Sequence, residues 1–215
     1  MIKFYCSGKE FLAENKEILE GYPLETVFFE VNAKAIEHAN LNDFLVRLQV
    51  GGKYLIAVHN SHYPMVIFGD SSLCAELARE VYGRKLTFDK ILGCLDTCEA
   101  FLAEYGKFVV CTHEINHAMD IMRCDRVLTD NVDGVERPSD NDIDELARLI
   151  ADFTAEALGD SADVEKVKKY VAERLKMFVV IRCCGKIVSL ASLKRETDKL
   201  ACIADVYTLP SYRLK

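Results

Sequence analysis

The chain has 215 residues, half of them hydrophobic and 28% charged, which suits a globular protein with a sizeable core, built as one large unit or two small ones. A formal net charge of -7 argues against a broad surface for nucleic acid or anionic membrane, because such surfaces need clustered Lys and Arg. Residues 1–10 hold no apolar run of signal-peptide length, and no later segment nears the ~20 apolar residues that span a bilayer, so a cytoplasmic protein is expected. Nine cysteines, an odd count without the spacing of a small disulfide scaffold, read as free and mostly buried thiols. Cys94 and Cys98 stand one helical turn apart, and Cys183 and Cys184 are adjacent at an expected hairpin turn; neither pair has CxxC spacing, and burial is the expected role.

In chain order, Phe11, Leu12, Ile18 and Leu19 predict a short helix over 8–20, stopped at Gly21-Tyr22-Pro23. A second helix is expected from Leu24 through Phe28, Val31, Ala35 and Ile36. The apolar residues Phe44, Leu45 and Leu48 read as its continuation past Asn40-Leu41-Asn42, closed by Gly51-Gly52. Residues 53–59 and 63–68 are β-rich runs around Asn60-Ser61-His62 and predict a hairpin. Ser71 or Ser72 caps a helix running through Leu77 and Val81 to Gly83; residues 86–92 are ambiguous. A further helix over 96–105 has Phe101 and Leu102 inward and ends at Gly106. The alternation over 107–127 predicts a strand.

That last stretch also contains His113-Glu114-Ile115-Asn116-His117, which matches the HExxH pattern of zinc peptidases. The chemistry requires a helix, where i and i+4 imidazoles are neighbours. On a strand the two would lie about 13 Å apart, at about 3.3 Å per residue. The β-branched and apolar run Phe108-Val109-Val110-Cys111-Thr112 favours the strand, and no third ligand is marked, so no metal site is expected.

Residues 130–138 are polar and turn-rich and read as a linker or as the first strand's approach to a second unit, which divides an N-terminal α/β domain over 1–130 from a second over 136–215. Ser139 with Asp142 forms a capping-box-like start. Ile143, Leu146, Ala147, Ile150, Thr154, Ala157 and Leu158 then make one helical face, up to Gly159. A second helix over 163–175 turns Val164, Val167, Val171 and Leu175 inward. Strands follow over 177–183, 187–194 and 200–208, with turns at Cys184-Gly185-Lys186 and Thr197-Asp198-Lys199. The fold class is therefore α/β of the α+β type, with mainly antiparallel strands.

The final segment, Ala204-Asp205-Val206-Tyr207-Thr208-Leu209-Pro210-Ser211-Tyr212-Arg213-Leu214-Lys215, resembles the central motif of the GNAT superfamily of N-acetyltransferases. There, a strand ending in an apolar-x-Val/Thr-x-Pro-x-Tyr-Arg pattern leads into a Gly-rich loop. The order helix, helix, three antiparallel strands over 136–215 is similar to the opening of such a domain. Residues from Gly21 onward look similar to the N-terminal half of two-domain members, which implies a degenerate repeat of the same fold. The resemblance implies acetyl-CoA as co-substrate, with Val206, Tyr207 and Thr208 as backbone contacts to its arm and acetyl group. It also implies that Arg213, Leu214 and Lys215 open the pyrophosphate loop. Leu214 departs from the small residue often found there, and the expected glycines would follow Lys215. The segment by itself is thus expected to bind CoA weakly and to expose its last strand to self-association.

The expected function is transfer of acetyl from acetyl-CoA to an amine, which needs two oriented substrates, a polarised carbonyl and a proton acceptor. Asp205 and Glu196 are carboxylates near the strand, each more simply explained as a surface residue. The alternatives are an HExxH zinc metallopeptidase and a non-catalytic binding or regulatory module.

Overall fold

The computed structural model describes residues 1–40, 42–60, 63–126, 128, 133–196 and 200–213, with the side chain of Arg195 outside that set. The expected turns at Ser61-His62 and at Thr197-Asp198-Lys199, with Leu214 and Lys215, lie outside the described residues. The chain divides into two compact units, Met1–Ile121 and Met122–Lys215, so the boundary falls ahead of the polar stretch expected to hold it. No helix among the described residues is long and apolar enough to cross a membrane.

The first unit opens with β1 (Ile2–Phe4) and three short helices, α1 (Gly8–Glu14), α2 (Lys16–Gly21) and α3 (Val27–Lys34). A meander follows: β2 (Phe44–Val50), β3 (Lys53–Asn60) and β4 (Tyr63–Gly69). Then come a 3₁₀ turn (Ser71–Leu73), α4 (Cys74–Gly83), β5 (Ile91–Leu92) and α5 (Leu95–Tyr105). The five strands lie side by side in chain order, antiparallel except for the parallel β4–β5 pair.

The expected helical continuation through Phe44, Leu45 and Leu48 is a strand instead. Its residues alternate between two cores: Phe44, Val46 and Leu48 pack towards α4 and α5 with Leu77, Val81 and Phe101, while Leu45 packs with Phe11, Phe29 and Ala33 of the early helices. A strand buried on both faces reads as a continuous apolar run, which periodicity cannot tell from a buried helix. Gly51 and Gly52, at φ of +54 and +85, form the tight hairpin turn rather than a helix end. The β3–β4 hairpin, α4 and α5 form as expected, although the cap before α4 is Asp70, whose carboxylate accepts from the Ser72 amide at 2.9 Å.

The second unit opens with β6 (Val135–Glu136), a 3₁₀ turn (Asp140–Asp142), α6 (Ile143–Leu158) and α7 (Val164–Arg174). Its strands β7 (Phe178–Cys183), β8 (Lys186–Glu196) and β9 (Ala201–Thr208) complete an antiparallel sheet in the order β6-β7-β8-β9. The capping box is present: Ser139 N and Oγ both donate to Asp142 Oδ2, at 2.7 and 2.9 Å. Gly159 ends α6 at φ +70. Leu146, Leu149, Ile150 and Val171 pack on Phe178, Val180, Ile187, Leu190 and Tyr207 to make the core. Both units therefore begin with a strand and helices, followed by a three-stranded antiparallel meander.

Two further expectations are corrected. Residues 107–126 form no strand and no helix. A strand needs partners for its backbone groups, and alternation alone supplies none. The cysteines are all free, but only Cys74 is buried; Cys98 and Cys202 are half-buried and the other six are exposed.

Candidate functional site

The last turns of α6 and the end of β9 enclose a cleft of about 340 Å³, lined by Phe153, Glu156, Ala157, Val206, Tyr207, Thr208 and Arg213. Phe153, Glu156 and Ala157 recur at helical spacing, so one face of α6 presents all three. From the β9 side, Tyr207 is buried and packs edge-on against Phe153, with ring centroids 6.3 Å apart. Val206, its neighbour on the strand, is 60% exposed.

The pairing of β9 with β8 slips here. Tyr207 faces Leu190, while Ala204 faces Ser192, so Asp205 and Val206 together oppose Ala191. Asp205 takes the left-handed φ of +51, which makes this a β-bulge. Its carboxylate is turned towards the sheet and α7, where Oδ2 accepts from Ser192 Oγ at 2.6 Å and from Tyr170 OH at 3.3 Å. Lys194 Nζ lies 3.6 Å from the same oxygen and donates to Tyr170 OH at 2.7 Å. Because β9 is the outer strand of its sheet, its far edge has no strand partner among the described residues.

After Thr208 the chain turns through Leu209 into the 3₁₀ turn Pro210–Tyr212, which begins with proline in the position where its missing N–H costs nothing. That turn folds Arg213 back over the cleft. Its Nε donates to Thr208 O at 2.9 Å, and its two terminal nitrogens donate to Glu156 Oε1 and Oε2 at 2.7 and 2.8 Å. The guanidinium also lies 5.4 Å from the centre of the Tyr207 ring. Tyr207 OH reaches the same carboxylate at 3.4 Å. The hydrogen bond from Arg213 holds the Glu156 carboxyl below its ordinary range, while burial, then the Glu156 charge, raises the Tyr207 phenol. A bidentate guanidinium is geometrically matched to carboxylate and phosphate alike, so an incoming anion would compete with Glu156 for this fork.

Val206, Tyr207, Thr208 and Arg213 thus share one cleft, whereas Leu214 and Lys215 lie outside the described residues. Asp205 is engaged in the bulge network, and Glu196 is exposed at the far end of β8, paired with Ala201. Phe153 and Glu156 escaped the sequence reading. Phe153 follows Ile150 by one helical step and was legible as inward, but nothing local marks Glu156 as the partner of a residue 57 positions on.

His113 and His117 are exposed, and no helix spans 113–117, so the segment does not set its two imidazoles on one helical face. Among the described residues no group of three or more His, Cys, Asp or Glu is placed to hold a metal ion. The zinc-peptidase reading therefore lacks the element its chemistry depends on. Compared with known proteins, the chain matches no family model, no curated protein and no solved structure.

Proposed function

We propose that the protein is an N-acetyltransferase of the GNAT kind, moving acetyl from acetyl-CoA to an amine. The observation that carries this reading is the shared cleft: the bulged outer strand at Val206–Thr208 and the Arg213 guanidinium open onto the same space. The order of strand, helices and antiparallel meander in both units supports it. In this scheme the backbone of Val206, Tyr207 and Thr208 holds the extended arm of the co-substrate as an added strand would be held. Arg213, with Leu214 and Lys215, would then meet the pyrophosphate. The amine attacks the thioester carbonyl, a C–N bond forms, the C–S bond breaks, and the thiol leaves as the ammonium gives up a proton.

Calorimetry with acetyl-CoA on residues 1–215 tests the reading, with weak binding expected. Arg213→Ala should weaken the binding roughly tenfold or more, the worth of a charge-assisted hydrogen bond. Binding that Arg213→Ala leaves unchanged, or no binding at all, ends the proposal.

One observation favours a second reading, a non-catalytic module that pairs with another chain. Ile203 and Val206 are 59% and 60% exposed on the outermost strand of the sheet, a surface that invites strand addition or self-association. Light scattering should show association that grows with concentration; a salt-insensitive monomer would count against it.

A further inference from the structure

The contacts that seat Arg213 are those by which a protein recognises an organic cation. The Glu156 carboxylate takes its two terminal nitrogens at 2.7 and 2.8 Å. The Tyr207 ring lies under the charge at 5.4 Å, inside the ~6 Å reach of a cation–π contact. The seat is also more negative than Arg213 alone balances. Glu156 stands in the last turn of α6, the end of a helix whose free carbonyls favour positive charge, and that turn has no basic residue of its own. Asp152, one turn earlier on the same face, brings a second carboxylate close: the Tyr207 phenol, raised by burial and then by Glu156, is raised further by the Asp152 charge. One guanidinium thus faces two carboxylates and a helix C-terminus.

Arg213 holds this seat loosely, since its side chain and that of Glu156 are 39% and 49% exposed, and ion pairs so exposed add little to stability. In the acetyltransferase reading, on which this inference rests, Arg213 turns to the pyrophosphate and leaves the Glu156 carboxylate and the Tyr207 ring open to another cation. We propose that this seat binds an ammonium group of the acceptor substrate. A carboxylate and an aromatic face both favour the protonated form of an amine, and a protonated amine has no lone pair with which to attack a thioester. The seated group is therefore not the one that is acetylated. The acceptor is a diamine or polyamine, with one ammonium held in the seat and a second amine free to react.

Calorimetry of residues 1–215 with diaminobutane, in the absence of acetyl-CoA, tests the seat. Arg213→Ala empties it and should bind the diamine about two- to fivefold more tightly than the wild type, whose own guanidinium competes. Adding Glu156→Gln to Arg213→Ala should weaken that binding about tenfold or more, the worth of a hydrogen bond to a charged group. Butanediol, of the same length but uncharged, should give no heat. Both substituted side chains are exposed, so the core of the unit stays intact. No diamine binding by Arg213→Ala, binding no tighter than that of the wild type, or binding that survives the added Glu156→Gln overturns the assignment. Acetyl-CoA binding by the wild type is read separately: its absence beside the expected diamine pattern leaves the cation seat and ends the transferase reading, and the reverse pattern overturns the seat alone.

Discussion

Ser192 Oγ donates to the Asp205 carboxylate at 2.6 Å across the β8–β9 pair, at the position where β9 turns left-handed. A left-handed non-glycine residue costs about 1–2 kcal/mol. Hydrogen bonds to a charged group contribute about 1.5–3 kcal/mol, enough to hold the bulge in place. Asp205→Ala should therefore destabilise the second unit by about 2–3 kcal/mol, since it keeps the backbone cost and loses the bonds. Asp205→Gly should lose about 1 kcal/mol less, because glycine accepts the same φ without penalty. Amide hydrogen exchange along β8 and β9 reads both, and a glycine variant as unstable as the alanine one would show that the left-handed backbone carries no cost at this position.

Gly8 begins α1, where its amide donates to Ile36 O at 2.8 Å, and a Cβ placed there would fall 1.7 Å from Ala33 O. That contact is with backbone, which cannot swing aside, so α1 must move off the end of α3. Gly8→Ala should cost about 3 kcal/mol, the upper range for overpacking. Gly83 is the control: apart from its chain neighbours and its own helix backbone, no described residue comes within 4 Å of a Cβ placed there, so Gly83→Ala should leave the melting temperature unchanged or raise it. Equal melting temperatures for the two variants would contradict the packing described for α1 and α3.

His59 is 6% exposed; its Nε2 is 3.1 Å from Thr87 O, and its Nδ1 has no hydrogen-bond partner among the described residues. Burial lowers its pKa, and the Thr87 carbonyl and the charges of Asp43 and Asp89 only partly oppose that. The folded state thus holds the ring neutral while the unfolded chain takes up a proton near pH 6.5. The resulting stability is present above that pH and is lost as pH falls through it towards the lower folded value, at no more than about 1.4 kcal/mol per pH unit. His59→Gln keeps a donor for Thr87 O and cannot titrate. Its unfolding curves between about pH 6.5 and 5 should be flatter than those of the wild type, and parallel slopes would exclude His59 as the source.

The sequence by itself determined the helices whose apolar residues repeat at 3.6 with a cap at one end. Examples are α6, between the Ser139–Asp142 box and Gly159, and α7, started by Asp163. It also determined the succession of β7, β8 and β9 and the end of β9 at Leu209-Pro210, because turn residues act within a few positions of themselves, but β6 fell within a polar stretch read as a linker or a strand's approach. Tertiary structure decided the rest. Phe44–Val50 is a strand because cores on both of its faces claim alternate residues, which no local pattern shows. Residues 107–126 alternate well enough for a strand and are not one, since alternation does not supply an edge to pair with. The bulge at Asp205 depends on Ser192, Tyr170 and Lys194, and the seat of Arg213 depends on Glu156, all brought in from distant parts of the chain. Periodicity and capping are local and can be read along the chain, whereas partnership across a sheet or from helix to strand is settled only when the chain closes on itself.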